Sequence, residues 1–519
     1  MNKVIDEIRK DGFHIDESEV IPQEELAEMV RIARERRREA KEKEDSIESE
    51  LEEEEPVQVN VETINRSFVI TEDRIYLSVR DKVGWPEFAY LENGQISYAP
   101  SIQIDGQVIN PQALPFHNGS YVPIVGVPIS EFINEAPDVE PNELFDLIHS
   151  HMKRYIDAPD IDMEMFIHYV LFTWFYKKLN TTPYLRFIGD TGKGKSRFLK
   201  VVSDLCFYPI TAEGASTSSG IMRFNEQWHG TLKIDEADFN GGAESEIIKY
   251  LNLGFEDGHR FMKTNKANHQ EQDFFDPFGP KVIAMREPFK DNATEGRLLS
   301  FEPRETTRKD IPPNLPPEYN EYVEQIRGTI TRFVLRNWNR VDPNNLIDCR
   351  DMEIERRLKQ LTTPLSLTLQ LLPEGEERFR NYMDRRQGEL KEIRARSWEG
   401  GMFNCLFNLA TGEEEPHPDL AQFVEDDGIL AVTPTMVAKG YGTTANTATR
   451  ALTSMGMVIE QKNVKIQGKS KKTRLYVVPD ESVWREIVQR YYYTDEESDD
   501  KYPDCPEVLK ARRYGVSMN

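Results

Sequence analysis

The sequence predicts an α/β fold in which a parallel sheet is preceded by a small β-rich module and followed by a basic helical module. Three observations support this prediction. A short apolar strand, a glycine-rich turn and an amphipathic helix follow one another from Tyr184 to Leu205. A second short strand ends at the acidic pair Asp235 and Glu236. Two short helices and two strands near the carboxyl terminus enclose a run of lysines.

The composition narrows the class of protein. The chain has 519 residues, enough for roughly two to four domains, and a formal net charge of -25. This acidity argues against a protein that coats nucleic acid with its whole surface, but it allows a local basic track. The four cysteines are scattered without a zinc or disulfide pattern, so we expect a reducing, cytoplasmic environment. We expect no membrane span, because no run of about 18 apolar residues occurs.

The chain before the glycine-rich turn divides into three predicted segments. Residues 1–56 are predicted to form a charged helical arm and linker, either solvated or in contact with a partner subunit. Residues 57–130 are predicted to form the β-rich module, and residues 131–179 a helical collar. The predicted strands of the module are Val57–Val61, Arg66–Ile70, Arg74–Val79, Phe88–Leu91 and Ser101–Ile104.

The glycine-rich turn matches a phosphate-binding pattern, G-x-x-x-x-G-K-[ST]. Its backbone amides would surround phosphate oxygens, Lys195 would reach the β- and γ-phosphates of ATP, and the Ser196 hydroxyl would hold Mg²⁺. The alternative is a chance glycine-rich turn, which the strand before it and the helix after it disfavour. We therefore place an ATPase core at residues 180–305. The residues of the pattern are Gly189, Asp190, Thr191, Gly192, Lys193, Gly194, Lys195 and Ser196.

The acidic pair is the predicted second half of the nucleotide site. Thr231–Ile234 has the pattern of a strand, which we expect beside the strand of the glycine-rich turn. Asp235 would hold Mg²⁺, directly or through water, and Glu236 would polarise the attacking water. Acidic pairs at strand ends are common on surfaces, so the prediction depends on the glycine-rich turn upstream.

Two arginines are candidates for sensing ATP. A predicted strand over Pro280–Met285 ends at Arg286, and Arg297 precedes the predicted strand Leu298–Phe301. Arg297 would enter the nucleotide site of a neighbouring subunit and stabilise charge on the γ-phosphate, and Arg286 would act as a sensor. The alternative for each is an ordinary surface arginine.

Taken together, these motifs resemble those of a AAA+ ATPase, most closely the superfamily-3 and MCM-like replicative helicases of archaea, viruses and mobile elements. The resemblance covers about residues 180–370. It implies a hexameric ring with ATP between subunits and DNA in the central channel. It also implies a pore hairpin, for which Gly258–Lys266 is the candidate, with Arg260, Lys263 and Lys266 along the DNA strand. The alternative is a solvated loop or a sheet edge.

The helices after the core are predicted to form the lid of such an ATPase, within residues 306–400. They are Tyr319–Trp338 and Arg350–Leu372, the second broken at Pro364. Arg356 or Arg357 would reach the γ-phosphate from the lid, and the sequence leaves the choice between them open. The alternative is a surface pair on a packed helix.

Residues 401–480 follow the order of a winged helix, with helices over Thr433–Lys439 and Thr443–Met455 and strands over Val458–Gln461 and Leu475–Val478. From residue 432 to 478 there are eight basic residues and one acid, Glu460, which leaves a formal charge of +7. In an acidic chain this contrast favours contact with phosphate, and protein contact is the alternative. Residues 481–519 are predicted to form a closing helix and tail. The candidate DNA contacts are Arg450 on the second helix and Lys469, Lys471 and Lys472 in a predicted turn.

These features predict an ATP-dependent DNA helicase that acts on single-stranded or forked DNA during replication, as a homo-hexamer. Two alternatives are kept. One is a DNA-binding initiator, loader or regulator that binds ATP without unwinding, and the other is a protein-remodelling ATPase. Strand separation distinguishes the helicase from the initiator, loader or regulator. Stimulation of hydrolysis by DNA distinguishes both of these from the protein-remodelling ATPase.

Overall fold

The computed structural model describes most of the chain after residue 62, and the described residues belong to two compact units. The first unit lies within Met1–Asp348 and Leu361–Glu376, and the second within Cys349–Gln360 and Glu377–Asn519. The predicted arm and the predicted strand Val57–Val61 lie outside the described residues. Those residues are 63–212, 217–235, 242–264, 271–372, 375–413, 424–426, 429–430, 432–466, 469–492, 503–506 and 509–510.

The described part of the region predicted to be rich in β-structure, from Thr63 onward, contains nine short strands. Strands β2 to β5 form an antiparallel meander, β1 pairs in parallel with β7, and β6 pairs with β7 on its other side. Leu77, Val79 and Phe88 are fully buried in its core. The strands are β1 Thr63–Arg66, β2 Phe68–Ile70, β3 Ile75–Arg80, β4 Pro86–Glu92, β5 Gln95–Ala99, β6 Ile102–Ile104, β7 Gln107–Pro111, β8 Phe116–His117 and β9 Ser120–Tyr121.

Three helices follow, α1 Ser130–Glu135, α2 Pro141–Tyr155 and α3 Asp160–Phe175. Helix α2 begins with proline at its first turn and a reciprocal capping box between Glu140 and Glu143. Helix α3 buries thirteen of its sixteen residues, because it is apolar all round and is enclosed by its neighbours. The Tyr169 hydroxyl of α3 donates a hydrogen bond to the Lys281 carbonyl at 2.8 Å and thereby fixes the helix against the central sheet.

The central sheet has five parallel strands in the order β11-β12-β15-β10-β16. Its strands are β10 Tyr184–Ile188, β11 Ile210–Ala212, β12 Leu232–Ile234, β15 Lys281–Met285 and β16 Leu298–Phe301. The helices between them are α4 Lys195–Ser203, α5 Ser218–Trp228, α6 Gly242–Leu253 and α7 Asn292–Glu295. A separate antiparallel hairpin is formed by β13 Phe261–Thr264 and β14 Gln272–Phe275.

One expectation about this sheet was wrong. The strand that precedes Asp235, β12, is not adjacent to β10, since β15 pairs with both and lies between them. The chain enters β15 about fifty residues after β12, so the local sequence around Asp235 contains no sign of the inserted strand. The carboxyl ends of all three strands still face the same edge of the sheet, because the strands are parallel.

The β-rich module is tied to the central sheet by hydrogen bonds. The Tyr208 hydroxyl donates to the carbonyls of Ser67 and Ser78 at 3.0 and 2.7 Å. Residue Val125 forms an antiparallel bridge with Ile210 of β11, the last strand of the sheet. The module therefore covers the backbone edge that β11 would otherwise expose to solvent.

Helix α8, Tyr319–Asn337, packs against α1 and α2. Helix α9, Arg356–Thr362, continues directly as a 3-10 helix over Thr363–Leu371. The break predicted at Pro364 is therefore a tightening of the helix, and proline occupies the start of the 3-10 segment, where its missing amide is not required.

The second unit combines helices with a four-stranded antiparallel sheet, β18-β17-β19-β20. Thr433, Thr444 and Asp480 cap its helices through their side chains. Met402, Phe403 and Trp484 belong to its apolar core. Its elements are α10 Gly375–Ala395, α11 Trp398–Thr411, β17 Val424–Asp426, β18 Ile429–Leu430, α12 Pro434–Tyr441, α13 Ala445–Ser454, β19 Val458–Ile466, β20 Lys469–Val477 and α14 Glu481–Tyr491.

The lysine-rich turn expected in this unit is instead the outer part of a long hairpin. Strands β19 and β20 have nine residues each and pair over their full length. Lys469, Lys471 and Lys472 therefore lie on a strand, a conformation that the lysine content of this stretch gave no reason to expect. Within the described residues, none of the helices combines the length and apolar character needed to cross a membrane.

Candidate nucleotide-binding site

The glycine-rich turn connects the buried strand β10 to helix α4. Gly189, Gly192 and Gly194 have φ angles of 147°, 90° and 85°, which residues with a side chain rarely adopt. Among the described residues, no atom lies within 4 Å of a Cβ placed on Gly192 or Gly194, so backbone conformation rather than space requires glycine there. Gly194 caps α4, whose first amides face the turn, and this arrangement favours an anion.

Lys195 and Ser196 begin α4 at this edge of the sheet. The Lys195 ammonium donates to the Asp190 carbonyl at 2.7 Å and so lies over the turn. The Ser196 hydroxyl donates to a carboxylate oxygen of Asp235 at 3.2 Å. The structure therefore brings together three residues that the sequence assigned to one site, although Asp235 lies two strands away from β10.

The oxygen atoms of Ser196 and Asp235 are the kind of ligand that Mg²⁺ prefers. The described residues contain no group of three or more His, Cys, Asp or Glu side chains suited to a metal. A magnesium ion here would take its other ligands from phosphate and water, as is usual for this ion. Glu236, the predicted polarising residue, lies outside the described residues.

An aromatic cluster beneath α4 and an ion pair with Lys193 hold the glycine-rich turn in place. The Phe198 ring on α4 packs against Phe187 of β10 and Phe301 of β16, with ring centroids 5.5 and 5.4 Å apart. The Lys193 ammonium lies 2.7 Å from a carboxylate oxygen of Glu302, and this hydrogen bond raises the pKa of Lys193. Glu302 was not found from the sequence, because it follows β16 and meets the turn only in the folded sheet.

A buried charged cluster connects α4 to β12. Asp204, at the end of α4, accepts from Lys233 of β12 at 3.2 Å and from Lys200 at 2.7 Å. Burial raises the pKa of the Asp204 carboxyl, but the two ammonium groups more than offset this and hold the pKa below its usual range. This contact explains the charged Lys233 in the strand that leads to Asp235.

The two candidate arginines lie at opposite ends of the sheet's strands, Arg286 at the carboxyl ends and Arg297 at the amino ends. Arg286 is exposed and follows β15 at the edge where the Gly189 amide donates to the Met285 carbonyl at 3.3 Å. The Arg297 carbonyl accepts from the Tyr184 amide at 3.0 Å, at the other end of β10. The five residues of β10 separate Arg297 from the turn of its own subunit, a length of roughly 13 Å at about 3.3 Å per residue.

The predicted pore hairpin, Gly258–Lys266, contains only strand β13, which pairs with β14 further along the chain, and its basic residues are not all directed to solvent. Lys263 contacts a Glu246 carboxylate oxygen and the Ser219 hydroxyl, both at 2.8 Å. Arg260 lies 3.5 Å from Asp276 and remains half exposed, and Lys266 lies outside the described residues.

The exposed face of this hairpin carries two large apolar side chains beside the polar Thr264 and Gln272. Met262 and Phe274 are opposite one another in the two strands and are 62% and 59% exposed. The sequence analysis did not single them out. Two consecutive phenylalanines in a strand point to opposite faces, so Phe274 and Phe275 were the signal that one aromatic ring would face away from the core.

The remaining candidates belong to the second unit. Arg356 is exposed, and Arg357 donates to the Gln360 side chain on the same helix. Arg450 is exposed on α13. Lys469, Lys471 and Lys472 are all exposed, although successive residues point to opposite faces, so the end of the β19–β20 hairpin extends into solvent.

The chain is similar to several solved structures, all at low sequence identity. The apo C-terminal region of NrS-1 is 11% identical with a TM-score of 0.34, and the match covers 78% of this chain and 96% of that one. The SCCmec type IV Cch active helicase is 10% identical with a TM-score of 0.36, covering 80% and 78%. An inhibitor-bound JCV helicase is 14% identical with a TM-score of 0.22, covering 52% and 66%. No family model and no curated protein matches the chain.

Proposed function

We propose that this protein is an ATP-dependent DNA helicase or translocase, as the sequence predicts. The contact of Ser196 with Asp235 beside the glycine-rich turn is the observation that carries this proposal. The turn amides would cradle the phosphates of ATP, and Lys195 would stabilise the γ-phosphate. Ser196 and Asp235 would hold Mg²⁺, which when bound neutralises charge on the transferred phosphoryl group. Glu236, next in sequence to Asp235, would orient the attacking water.

The positions of the arginines favour hydrolysis between subunits. Arg286 lies at the same edge as the glycine-rich turn and would sense the nucleotide of its own subunit. Arg297 lies at the opposite edge, so it would serve only the nucleotide of a neighbour, and the protein would act as a homo-oligomer, a hexameric ring in our proposal. The role of Arg356 or Arg357 as a sensor of the γ-phosphate stays a prediction from the sequence.

Two surfaces would contact DNA. In the first unit, Met262 and Phe274 are exposed side chains on which bases of a single strand would stack, with Arg260 near the DNA backbone. Lys266, outside the described residues, stays a contact predicted from the sequence. In the second unit, Arg450 and the three exposed lysines of β20 would contact phosphates. The positive charge of this region within an acidic chain supports that role.

The test is ATP hydrolysis with and without single-stranded DNA, with fork unwinding measured in parallel. We expect DNA to stimulate hydrolysis and the fork to be separated. Lys195→Ala should lower hydrolysis by about a hundredfold or more and abolish unwinding, since it removes the charge that stabilises the γ-phosphate. Lys153→Ala, on the exposed face of α2, is the control and should leave both activities unchanged.

Hydrolysis that DNA does not change, without strand separation, would contradict a motor and favour protein remodelling. ATP-dependent DNA binding without separation of the fork would instead favour an initiator, loader or regulator.

A further inference from the structure

The segment from Arg286 to Arg297 connects the two edges of the central sheet. It leaves β15 at the edge of the glycine-rich turn and enters β16 at the opposite edge. Because β10 lies between β15 and β16, the segment must cross over β10, and helix α7 forms part of this crossing. One continuous stretch of backbone therefore joins the two candidate arginines.

A buried ion pair holds the crossing segment to β10. Arg186, in the middle of β10, is 5% exposed, and its guanidinium donates through both terminal nitrogens to the two carboxylate oxygens of Glu295 at the end of α7. The Arg186 Nε donates to the Ser300 hydroxyl on β16 at 2.9 Å. This forked geometry fixes direction as well as distance, and the two side chains are 6% and 24% exposed.

Glu295 also shapes the crossing segment itself. Its carboxylate accepts from the Phe289 amide at 2.6 Å, so one side chain joins the start of the crossing, its end and the strand beneath it. Asp291 provides a second attachment, since its carboxylate accepts from the Thr294 amide at 2.9 Å and from Asn252 of α6 at 2.8 Å. The segment before Arg297 is thus attached both to β10, through Glu295, and to α6, through Asp291.

The Asp291 carboxylate attracts Arg297, but within the described residues no acidic side chain accepts a hydrogen bond from its guanidinium. Its guanidinium donates to the Ala293 carbonyl in α7 and lies over the Phe255 ring, 5.5 Å from the centroid. Its Nε is buried and has no hydrogen-bond partner within the described part of the chain. The direction of Arg297 therefore depends on the crossing segment, through the Ala293 carbonyl of α7 and the nearby Asp291 carboxylate, and α7 ends at Glu295.

We infer that Glu295 is a positioning residue, which sets the direction of Arg297 through its ion pair with Arg186. This inference rests on the proposed function, in which Arg297 acts on the nucleotide of the neighbouring subunit. A change in Glu295 should then impair the neighbour's hydrolysis and leave nucleotide binding to its own subunit intact.

Mixing subunits tests the inference. Glu295→Gln keeps the size of the side chain but removes its charge, and alone it should lower hydrolysis by about tenfold or more. Lys195→Ala subunits have no hydrolysis of their own but retain Arg297. When the two proteins are mixed, Glu295→Gln sites beside Lys195→Ala subunits should regain hydrolysis. Arg297→Ala mixed with Lys195→Ala is the reference and should regain activity in the same way.

The outcomes separate the inference from the proposed function. If the Arg297→Ala mixture stays inactive, Arg297 does not act between subunits and the proposed arrangement fails. If that mixture regains activity and the Glu295→Gln mixture does not, Glu295 acts within its own site and the inference is overturned. The affinity of Glu295→Gln for a fluorescent ATP analogue should stay within about twofold of the wild type, and a larger loss also overturns the inference.

A second variant keeps the test valid if Glu295→Gln folds poorly, since that change leaves Arg186 buried and unpaired. Arg186→Met with Glu295→Leu replaces the pair by apolar side chains, an exchange that buried ion pairs often tolerate. This double variant should melt near the wild-type temperature, lose hydrolysis and regain it beside Lys195→Ala. Asp138→Asn, which removes an exposed partner of Arg332, is the control and should hydrolyse ATP normally.

Discussion

His151 shows how a single buried side chain makes the stability of the first unit depend on pH. Its ring is enclosed by Tyr155, Tyr319 and Tyr322, with centroids 5.1, 5.6 and 5.6 Å away. Among the described residues, neither of its ring nitrogens has a hydrogen-bond partner. Burial lowers the pKa of His151 to about 4, because a charged ring would lose its hydration there.

We therefore predict that stability falls as pH decreases from about 6.5 toward 4, where the unfolded chain binds a proton that the folded chain does not. At pH 5 the loss from His151 should be about 2 kcal/mol relative to pH 7.5. His151→Phe should remove this part of the loss. The measurement is the melting temperature of both proteins at the two pH values, and an equal drop in both would contradict the prediction.

At the residue scale, the sequence predicted the members of the nucleotide site whose spacing is local. Lys195 and Ser196 follow directly from the glycine-rich pattern, and Asp235 follows from its position at the end of a strand. Glu302 and Glu295 could not be predicted, because each meets its partner 109 positions away. Such a pairing is created by the order of strands, which no local pattern contains.

At the scale of elements, the β13–β14 hairpin yields a prediction about single-stranded DNA. Met262→Ala with Phe274→Ala should weaken its binding by roughly tenfold to a hundredfold, since stacking contributes about 1–3 kcal/mol per base. Phe116→Ala is the control, because Phe116 is a similarly exposed aromatic residue on the β-rich module.

Fluorescence anisotropy with a labelled oligothymidine at fixed salt is the measurement for the hairpin. Equal losses of affinity in the double variant and in Phe116→Ala would contradict the prediction, because exposed aromatic residues would then contribute to DNA binding wherever they lie.

The attachment of the β-rich module to β11 yields a prediction about stability. A Cβ on Gly126 would lie 2.7 Å from Pro209 and 2.9 Å from the Arg327 guanidinium carbon. Gly126→Ala should therefore displace the stretch that covers β11 and lower the free energy of unfolding by about 1–3 kcal/mol. Gly388→Ala, on α10 with open space around it, should be neutral or stabilising by up to about 1 kcal/mol. Thermal unfolding of the two variants would decide, and equal melting temperatures would refute the attachment.

At the scale of the whole molecule, the basic stretch from residue 432 to 478 contrasts with a net charge of -25. This contrast yields a prediction about how salt affects DNA binding. Lys471→Glu with Lys472→Glu should weaken binding to duplex DNA and lower the steepness of its salt dependence by about 1.8, since each lost phosphate contact contributes about 0.9. Lys153→Glu with Lys309→Glu, two exposed lysines of the first unit, changes the net charge equally and should have a smaller effect. Titrations at several salt concentrations measure both slopes, and equal slopes would mean that net charge alone governs binding.

Only those parts of the fold that a local sequence pattern determines could be predicted. The strand, turn and helix around Gly189 are marked by apolar periodicity and glycine, and β16 has the predicted bounds. The order β11-β12-β15-β10-β16 was not predictable, because parallel strands pair across long connections. The length of the β19–β20 hairpin was missed for another reason, since its outer part gains pairing but no burial and therefore lacks an apolar signal.

The charge of Arg186 has a consequence for the synthesis of the protein. Strand β10 obtains its neighbours β15 and β16 only after about a hundred further residues have been made, which takes roughly 5–20 s on a ribosome. During that interval an apolar strand with two unpaired edges is a site for aggregation. A charged side chain at its centre opposes pairing with other nascent chains. In the folded chain Glu295 neutralises that charge and the Ser300 hydroxyl accepts a hydrogen bond from it, so the residue that protects the strand early secures it later.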